Sequence, residues 1–453
     1  MATPSLKSIA VLGAGITGLT AALRLTQRGH RVRLFEAGDR VGGAIRTELS
    51  DGWLVEGGPN SLLAGDPALA ALIEELGLGS ERVAASSSAR KRFIVRGGRP
   101  VAAPLTPPAL LRSPLFSTGA KFRIMLEVLQ RPRVRAGDVS VEEFVRDHFG
   151  QELVDYALNP FVSGVYAGDP RKLSARCAFP KLWEAEQRHG SILRGQIAAA
   201  KSASKPREGI ISFRRGLQVL PNTIAAELPA GTLVLNTGIE ALIPSSETGW
   251  QVVERNGNSA REAFDSVVLA LPAPALAQLR FDPHGERPLA SLDRIEHPPV
   301  SSLFLGFRRE DITHPLDGFG LLVPEVERRG VLGVLFSSTL FPGRAPADHV
   351  ALTVLVGGTR NPELARLSTD ALASAVEPDL RDLLGVRGPP VFRRHTFWPR
   401  AIPQYNLGYQ EHLEAIARVE RSYRGLCIGG QARNGISLPA CIAAGESLAR
   451  RIE

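Results

Sequence analysis

The sequence predicts an α/β fold with a second, α+β domain and a largely helical insertion, on three observations. Residues 7–12 read as a short buried strand, which glycines, an amphipathic helix and the strand-like run 31–37 follow. Strand, turn, helix and strand in that order form a βαβ unit, so we expect a parallel sheet there. Helical patterns between proline-rich connectors fill 85–205, and strand-like runs from about 300 to 400 predict a second, mainly antiparallel sheet.

The order of these patterns predicts that the first domain is discontinuous. The βαβ unit lies in 1–84, a second strand-to-helix turn lies in 206–285, and a last strand and helix lie in 411–453. Neighbouring strands of one parallel sheet are joined by crossovers, so distant segments can enter the same sheet. We therefore assign these three segments to one domain, 85–205 to the helical insertion, and 286–410 to the second sheet domain.

Composition restricts the class of protein. The formal net charge is +8, from 54 Lys and Arg against 46 Asp and Glu, which suits phosphates, carboxylates or lipid head groups. Three cysteines without a CxxC pair argue against a disulfide framework and favour a reducing, cytoplasmic compartment. The nine histidines show no HExxH spacing, so we expect no metal site. We also expect no signal peptide, no membrane-spanning segment and no nucleic-acid partner.

The first turn carries a dinucleotide signature. Gly13, Gly15 and Gly18 form GxGxxG between the first strand and its helix, where the first glycine permits the turn and the second lets a pyrophosphate approach the backbone. Glu36 ends the next strand, where a carboxylate can bind the hydroxyl groups of an adenosine ribose. The paired glycines of RVGGAIRT (40–47) follow directly and make a second loop for close approach, which favours a flavin over a nicotinamide dinucleotide.

This combination, GAGITG, Glu36 and RVGGAIRT, resembles the signature of FAD-dependent amine oxidases, phytoene desaturases and protoporphyrinogen oxidases. The resemblance implies a Rossmann-like FAD-binding domain whose flavin-proximal wall comes from the C-terminal run 429–445. It implies that FAD is contacted by Gly13, Ala14, Gly15, Ile16, Thr17, Gly18, Glu36, Ala37, Arg40, Gly42, Gly43, Ala44, Gly58, Pro59, Asn60, Ser61, Ile239, Gly429, Gly430, Ile436, Ser437 and Leu438.

Eight further motifs, from EGGPNSLL (56–63) to AIPQYNLGY (401–409), resemble the protoporphyrinogen oxidase family in that family's order. The resemblance implies six-electron oxidation of a porphyrinogen by FAD, with O2 as acceptor and H2O2 as product. It gives no side chain a catalytic role, because the flavin is the reactive group. It implies a substrate site made of a propionate partner, Arg92, a backbone wall and an apolar clamp, formed by Gly164, Val165, Ala167, Leu322, Leu335 and Leu355.

Three functions stay open at this point: oxidation of protoporphyrinogen IX, oxidation of coproporphyrinogen III, and a flavin-binding adaptor without turnover. We expect Trp398, Gln404 and Tyr405 to brace the site. The stretches SPLF (113–116) and FRIML (122–126) are expected to expose apolar groups, as a surface that lies on the inner face of the cell membrane or as a lid over the substrate. We also expect a homodimer and transfer of the product to a ferrochelatase.

Overall fold

The computed structural model describes residues 6–131, 135, 137–202, 209–245, 249–255, 259–282 and 284–452. The strands are β1 (Ser8–Leu12), β2 (Arg31–Phe35), β3 (Thr47–Ser50), β4 (Trp53–Glu56), β5 (Leu62–Leu63), β6 (Arg82–Ala84), β7 (Lys91–Arg96), β8 (Arg99–Ala102), β9 (Ile210–Phe213), β10 (Leu233–Val234), β11 (Ile239–Ser245), β12 (Gly249–Glu254), β13 (Ser259–Phe264), β14 (Ser266–Leu269), β15 (Val300–Arg308), β16 (Gly318–Leu322), β17 (Val331–Leu335), β18 (His349–Gly357), β19 (Phe392–Trp398) and β20 (Leu426–Ile428).

The α-helices are α1 (Ile16–Gln27), α2 (Pro67–Glu75), α3 (Pro107–Arg112), α4 (Thr118–Leu126), α5 (Val141–Phe149), α6 (Gln151–Leu153), α7 (Asn159–Val165), α8 (Ala175–Ala178), α9 (Pro180–His189), α10 (Ile192–Ser202), α11 (Val219–Ala226), α12 (Ala273–Gln278), α13 (Ser337–Leu340), α14 (Pro362–Ala365), α15 (Thr369–Leu384), α16 (Gln410–Ser422), α17 (Gln431–Asn434) and α18 (Leu438–Arg451). A π-helical turn, Val154–Leu158, joins α6 to α7.

The first sheet is parallel, with the strand order β10-β2-β1-β14-β20. Its central strands are almost entirely apolar, as strands covered by helices on both faces must be. The βαβ unit predicted from the sequence is confirmed, and strands from three separate stretches of chain build this one sheet. Helix α18 packs on α1 so closely that a methyl group at Gly445 would lie 2.5 Å from the Thr17 carbonyl oxygen. This contact brings the end of the chain to the first turn.

The second sheet has seven strands in the order β19-β15-β18-β17-β16-β7-β8. Its neighbours are antiparallel except β16 and β7, so the mainly antiparallel sheet predicted for 300–400 is confirmed. Strands β7 and β8 also belong to it, which corrects the boundary at residue 85, because the helical region begins only after Ala102. The physical reason is a hairpin turn at Gly97 and Gly98, whose positive φ angles of 60° and 73° reverse the chain.

The two faces of this sheet have different partners. Leu321, Val334 and Val354 point into a closed core that includes α15. Because side chains alternate along a strand, their neighbours Leu322, Leu335 and Thr353 point to the opposite face. The hairpin of β3 and β4 packs on part of that face, so it is turned toward the parallel-sheet domain.

The helical region α3–α10 lies beside the second sheet. Its predicted helix over 140–158 is interrupted at Gly150, whose φ of 87° ends α5. The expectation that SPLF exposes apolar groups is wrong for its large side chains, because Leu115 and Phe116 are buried against β7 and the π-helical turn. Among the described residues, every helix is too short or too polar to cross a bilayer.

Candidate flavin and substrate site

The N-terminus of α1 has the properties of a phosphate site. Gly15 is its N-cap, no side chain caps the helix, and its first turn contains no acidic residue. A methyl group built on Gly15 meets no atom within 4 Å, so this side of the turn is open. At Gly18, by contrast, a methyl group would lie 1.9 Å from the Gly13 carbonyl oxygen, so the helix can start here only with glycine. Ala14, Ile16 and Thr17 complete this turn, and the first backbone N–H groups of α1, which have no partner within the helix, suit an anion.

Glu36 lies directly after β2 at the same edge of the sheet. Its carboxylate accepts hydrogen bonds from the backbone N–H groups of Ala14 (2.8 Å) and Gly38 (2.9 Å). Ala37 beside it is exposed, and Ile239 begins β11 in the segment whose Thr237 N–H donates to the Glu36 carbonyl. The structure therefore brings Glu36, Ala37 and Ile239 together at one end of the phosphate turn, where the resemblance expects the adenosine.

The loop after β2 lies against the phosphate turn. The Gly42 N–H donates to the Ala14 carbonyl oxygen (2.8 Å), and a methyl group at Gly43 would lie 3.4 Å from the Cα atom of Gly15. The guanidinium of Arg40 donates to the carbonyl oxygens of Gly43 and Ile45, at 2.8 Å each. Arg40 therefore holds the loop in shape, while Gly43 and Ala44 are exposed on it.

The EGGPN stretch connects this loop to the second sheet. A methyl group at Gly58 would lie 1.9 Å from the Ala44 carbonyl oxygen, which places the two backbones in direct contact. On the other side, Trp398 of β19 donates its indole N–H to the Gly57 carbonyl oxygen (2.8 Å). Asn60 donates to the Gly58 carbonyl oxygen (3.0 Å). Residues 58–61, including Pro59 and Ser61, thus lie between the loop after β2 (residues 40–47, the flavin loop) and the second sheet.

The C-terminal run 429–445 lies beside the phosphate turn, because α18 packs on α1. The Gly429 N–H donates to the Leu269 carbonyl oxygen (3.0 Å), so this turn follows the edge strand β20 of the parallel sheet. Gly430 lies beside Thr17, with a φ of 112° that disfavours other residues. Ser437 caps α18 by accepting from the Ala440 N–H, with Ile436 and Leu438 partly buried on either side.

The three leucines of the predicted clamp lie on one face of the second sheet. Leu322 and Leu355 are both register partners of Gly333, and Leu335 is the partner of Gly320. Each leucine is only partly buried, whereas the opposite face is closed. The glycines between them leave space above the sheet.

Helix α7 stands against this leucine face. A methyl group at Gly164 would lie 2.5 Å from Cδ2 of Leu322, so the helix backbone touches the clamp directly. Val165 is 41% exposed beside it. Ala167 is instead buried in a turn with a φ of 52°, and its carbonyl oxygen accepts from the Thr359 N–H (2.9 Å). The structure therefore brings Gly164 to the leucines and places Ala167 behind the wall.

Arg92 lies on β7 at the rim of the same face. Its guanidinium carbon is 5.6 Å from the ring centre of Phe319, a cation–π distance, and the side chain is exposed. Its neighbour Lys91 pairs with Asp317. Arg92 is therefore a cation at the mouth of an apolar surface, which suits a carboxylate on a large apolar ligand.

Gln404 and Tyr405 hold the wall from behind. Gln404 Nε2 donates to the Tyr166 carbonyl oxygen (2.7 Å), and the Tyr405 hydroxyl donates to the Gln431 carbonyl oxygen. Tyr409 donates to the Ala432 carbonyl oxygen (2.8 Å), and burial raises the pKa of both phenols. Because these hydroxyls are neutral and already donate to the backbone, their contacts are those of structural braces.

The sequence gives no indication of two arginines near the site, the buried Arg344 and the half-buried Arg360. Arg360 donates to the Val323 carbonyl oxygen (2.8 Å) and to the Ser163 hydroxyl (2.9 Å), which ties α7 to the end of β16. Arg344 lies 3.6 Å from the buried carboxylate of Glu56. Glu56 could have been recognised from the sequence, because it is a carboxylate at the end of the apolar run WLVE. The two arginines could not, because their partners are distant in sequence.

The residues fit FAD by the chemistry they offer. The open, uncapped helix turn suits the pyrophosphate, Glu36 suits the ribose, and the glycine loops permit an extended dinucleotide to lie along the backbone. The contacts described above connect the segments that the sequence names for FAD into one continuous region of the protein.

Comparison with known proteins agrees with this geometry. The profile of the flavin containing amine oxidoreductase family matches residues 16–453. Protoporphyrinogen oxidase 2 of Arabidopsis thaliana is 37% identical over 97% of this chain and 92% of that protein. Coproporphyrinogen III oxidase of Staphylococcus aureus is 26% identical over 98% of this chain and 99% of its own. A crystal structure of a candidate protoporphyrinogen oxidase from Exiguobacterium sp. 255-15 superposes with a TM-score of 0.83 at 25% identity, covering 99% of both chains. The chain is thus an FAD-dependent oxidoreductase that belongs to the flavin containing amine oxidoreductase family, in the branch that contains the protoporphyrinogen oxidases.

Proposed function

We propose that this enzyme oxidises a porphyrinogen to the corresponding porphyrin in haem biosynthesis, with O2 as acceptor and H2O2 as product. The observation that carries the proposal is the leucine face: Leu322, Leu335 and Leu355 share one partly buried face of the second sheet, and the bare backbone of Gly164 lies against Leu322. A porphyrinogen is a broad apolar macrocycle with carboxylates at its edge. An apolar surface with the cation Arg92 at its rim matches both properties.

The protein contributes binding, orientation and exclusion of water. Bound FAD supplies the two-electron acceptor that takes a hydride from a methylene bridge of the substrate. The leucine face and α7 hold the macrocycle flat, and Arg92 at the rim sets its rotation through a propionate. Three rounds with the substrate turned or released between them remove six electrons. Because pyrrole rings already stabilise the developing cation, orientation supplies much of the rate.

Protoporphyrinogen IX is the substrate we favour, and coproporphyrinogen III is the second candidate. The higher identity to the Arabidopsis protein supports the first. The exposed Arg90 adds positive charge near Arg92, which supports a ring with more carboxylates, whereas Lys91 is neutralised by Asp317. An anaerobic assay decides between them: each porphyrinogen is mixed with the oxidised enzyme and bleaching of the flavin absorbance is timed. Much faster bleaching by coproporphyrinogen would reverse our preference, and bleaching by neither would refute the proposed function.

We further propose that the surface of α3, α4 and the turn after them rests on the cytoplasmic face of the membrane. Its large apolar side chains are exposed: Leu105, Leu111, Phe122, Met125, Leu126 and Leu129. Arg112, Lys121 and Arg123 lie among them and suit anionic head groups. Sedimentation with anionic vesicles tests this, with Phe122→Ser plus Leu129→Ser as the variant and Leu49→Ser, exposed elsewhere, as the control. Equal sedimentation of all three proteins would refute it.

A further inference from the structure

A small buried cavity lies beside the leucine face. Its volume is about 10 Å³, close to the smallest space that holds one water molecule. Apolar side chains close it on several sides, but its polar lining is unusual for a protein interior and consists of Glu56, Asn60, Ser337, Arg344 and Thr353.

Glu56 is 4% exposed, and three groups surround its carboxylate. Thr47 donates its hydroxyl to Oε2 (2.6 Å), and the Leu217 N–H donates to Oε1 (2.8 Å). Arg344 Nη2 lies 3.6 Å from Oε1, and the cavity adjoins the remaining side. Glu56 therefore joins the β3–β4 hairpin to two other segments of the chain.

Arg344 is 2% exposed and only partly used by the protein. Its Nη2 atom donates to the Ser212 hydroxyl (2.7 Å). Its Nη1 atom has no hydrogen-bond partner among the described residues, although it is fully buried. A buried guanidinium donor without a partner destabilises the folded protein, because the hydrogen bond that it made to water in the unfolded chain is lost. A water in the adjoining cavity would satisfy this donor.

The cavity lies between the two halves of the site. Thr353 is the register partner of Leu335 and points to the same face of the sheet, so the cavity lies beside the leucines. Glu56 and Asn60 bracket the EGGPN stretch, whose Gly58 touches the flavin loop at Ala44. A group in the cavity is thus next to both the substrate surface and the flavin-binding loop.

The Glu56 carboxyl group ionises near neutral pH. Burial raises the pKa of its carboxyl group to about 7, against the opposing effects of Thr47, Arg344 and the Leu217 N–H. Among the described residues, Arg344 is the charged group that faces it. Other charged side chains on the neighbouring elements are exposed or pair elsewhere: Arg46, Glu48 with Arg394, and Arg215 with Glu81.

We propose that Glu56, with Arg344 and one water in this cavity, accepts the proton that the substrate releases as it gives up a hydride. The proposal rests on the proposed function. In each round a C–H bond of one methylene bridge breaks and its electron pair leaves with the hydride for bound FAD. A proton leaves as well, from a pyrrole N–H bond in two rounds and from a C–H bond of the fourth methylene bridge in the remaining round. It passes through water beside Asn60 to form an O–H bond on Glu56. That proton and the hydride together convert O2 to H2O2, so the round is balanced and Glu56 is again ionised.

The first test does not depend on turnover. Infrared spectra of the FAD-loaded wild-type enzyme are recorded across a pH titration, and a protonated carboxyl band should disappear with a midpoint near neutrality. The band should be missing in Glu56→Gln and unchanged in Glu48→Gln, the matched carboxylate on the same hairpin. A wild-type enzyme without such a band would overturn the proposal, even if the variant failed to fold.

The second test uses the rate of anaerobic flavin bleaching by a porphyrinogen at each pH. In the wild type the rate should rise as Glu56 ionises and then level off. In Glu56→Gln it should be about a hundredfold lower and independent of that ionisation, as expected for loss of a proton acceptor. Bleaching with the same pH profile in Glu56→Gln and wild type would refute the role of Glu56. If no porphyrinogen bleaches the wild-type flavin, it is the proposed function that fails.

Discussion

Replacing Gly164 by alanine tests the closest contact in the substrate site. The new methyl carbon would lie 2.5 Å from Cδ2 of Leu322, whereas carbon atoms in contact are about 3.5–4.0 Å apart. The Leu322 side chain must therefore move by about 1 Å, into the space that we assign to the macrocycle. Such overpacking costs about 1–3 kcal/mol. Up to about 1 kcal/mol of this cost is offset in the folded protein, because alanine is the better helix former within α7.

The cost that remains, about 0–3 kcal/mol with a centre near 1.5 kcal/mol, should be seen in substrate turnover. Since about 1.4 kcal/mol corresponds to a factor of ten, we expect kcat/KM for the porphyrinogen to fall about tenfold. The amount of bound FAD should not change, because the nearest atoms to the new methyl group all belong to Leu322. The assay is steady-state porphyrin fluorescence, with flavin content measured from its absorbance.

Two further variants sharpen this test. Gly79→Ala is a control, because a methyl group there meets no atom within 4 Å. The double variant Gly164→Ala plus Leu322→Ala removes the collision, and part of the lost kcat/KM should return. An equal loss of FAD and of activity in Gly164→Ala would refute the reasoning, as it would show that the stretch is scaffold for the whole domain. So would unchanged kinetics.

Three other outcomes are expected. Gly18→Ala places a methyl group 1.9 Å from the backbone oxygen of Gly13 and should abolish flavin binding; a variant with normal flavin absorbance would contradict this. Arg92→Ala should raise KM about tenfold or more with kcat little changed, since it removes a charge-assisted bond at the rim, while Arg99→Ala on the neighbouring strand should have no effect on KM. The folded-state pKa of Glu56, about 7, lies above the ordinary 4.5, so the folded protein binds more protons between these values. The free energy of unfolding should therefore fall as pH rises from 4.5 to 7, by about 3 kcal/mol, and urea unfolding of Glu56→Gln should lack this decline; an equal decline in the variant would refute it.

The parts of the site that lie within a few residues of one another could be predicted from the sequence. The glycine spacing of the first turn, Glu36 after the second strand and the paired glycines at 42 and 43 each follow from local backbone needs. The structure places them in contact as that chemistry requires. The sequence analysis does not predict the hairpin of β7 and β8, although its Gly-Gly turn is local. The prolines around it are typical of connectors between helices, which hid the strand pattern.

The parallel βαβ unit, the phosphate turn and the resemblance that implies FAD can all be recognised from the sequence. The three-dimensional packing was needed to show that the leucines share one face, that Gly164 touches Leu322, that Leu115 and Phe116 are buried, and that Glu56 lies beside Arg344. The reason is physical. Turn chemistry and the alternation of side chains depend on neighbouring residues. Strand register and the pairing of buried charges depend on how distant segments pack. No local sequence pattern identifies the distant segment that will pack against a given strand or charge.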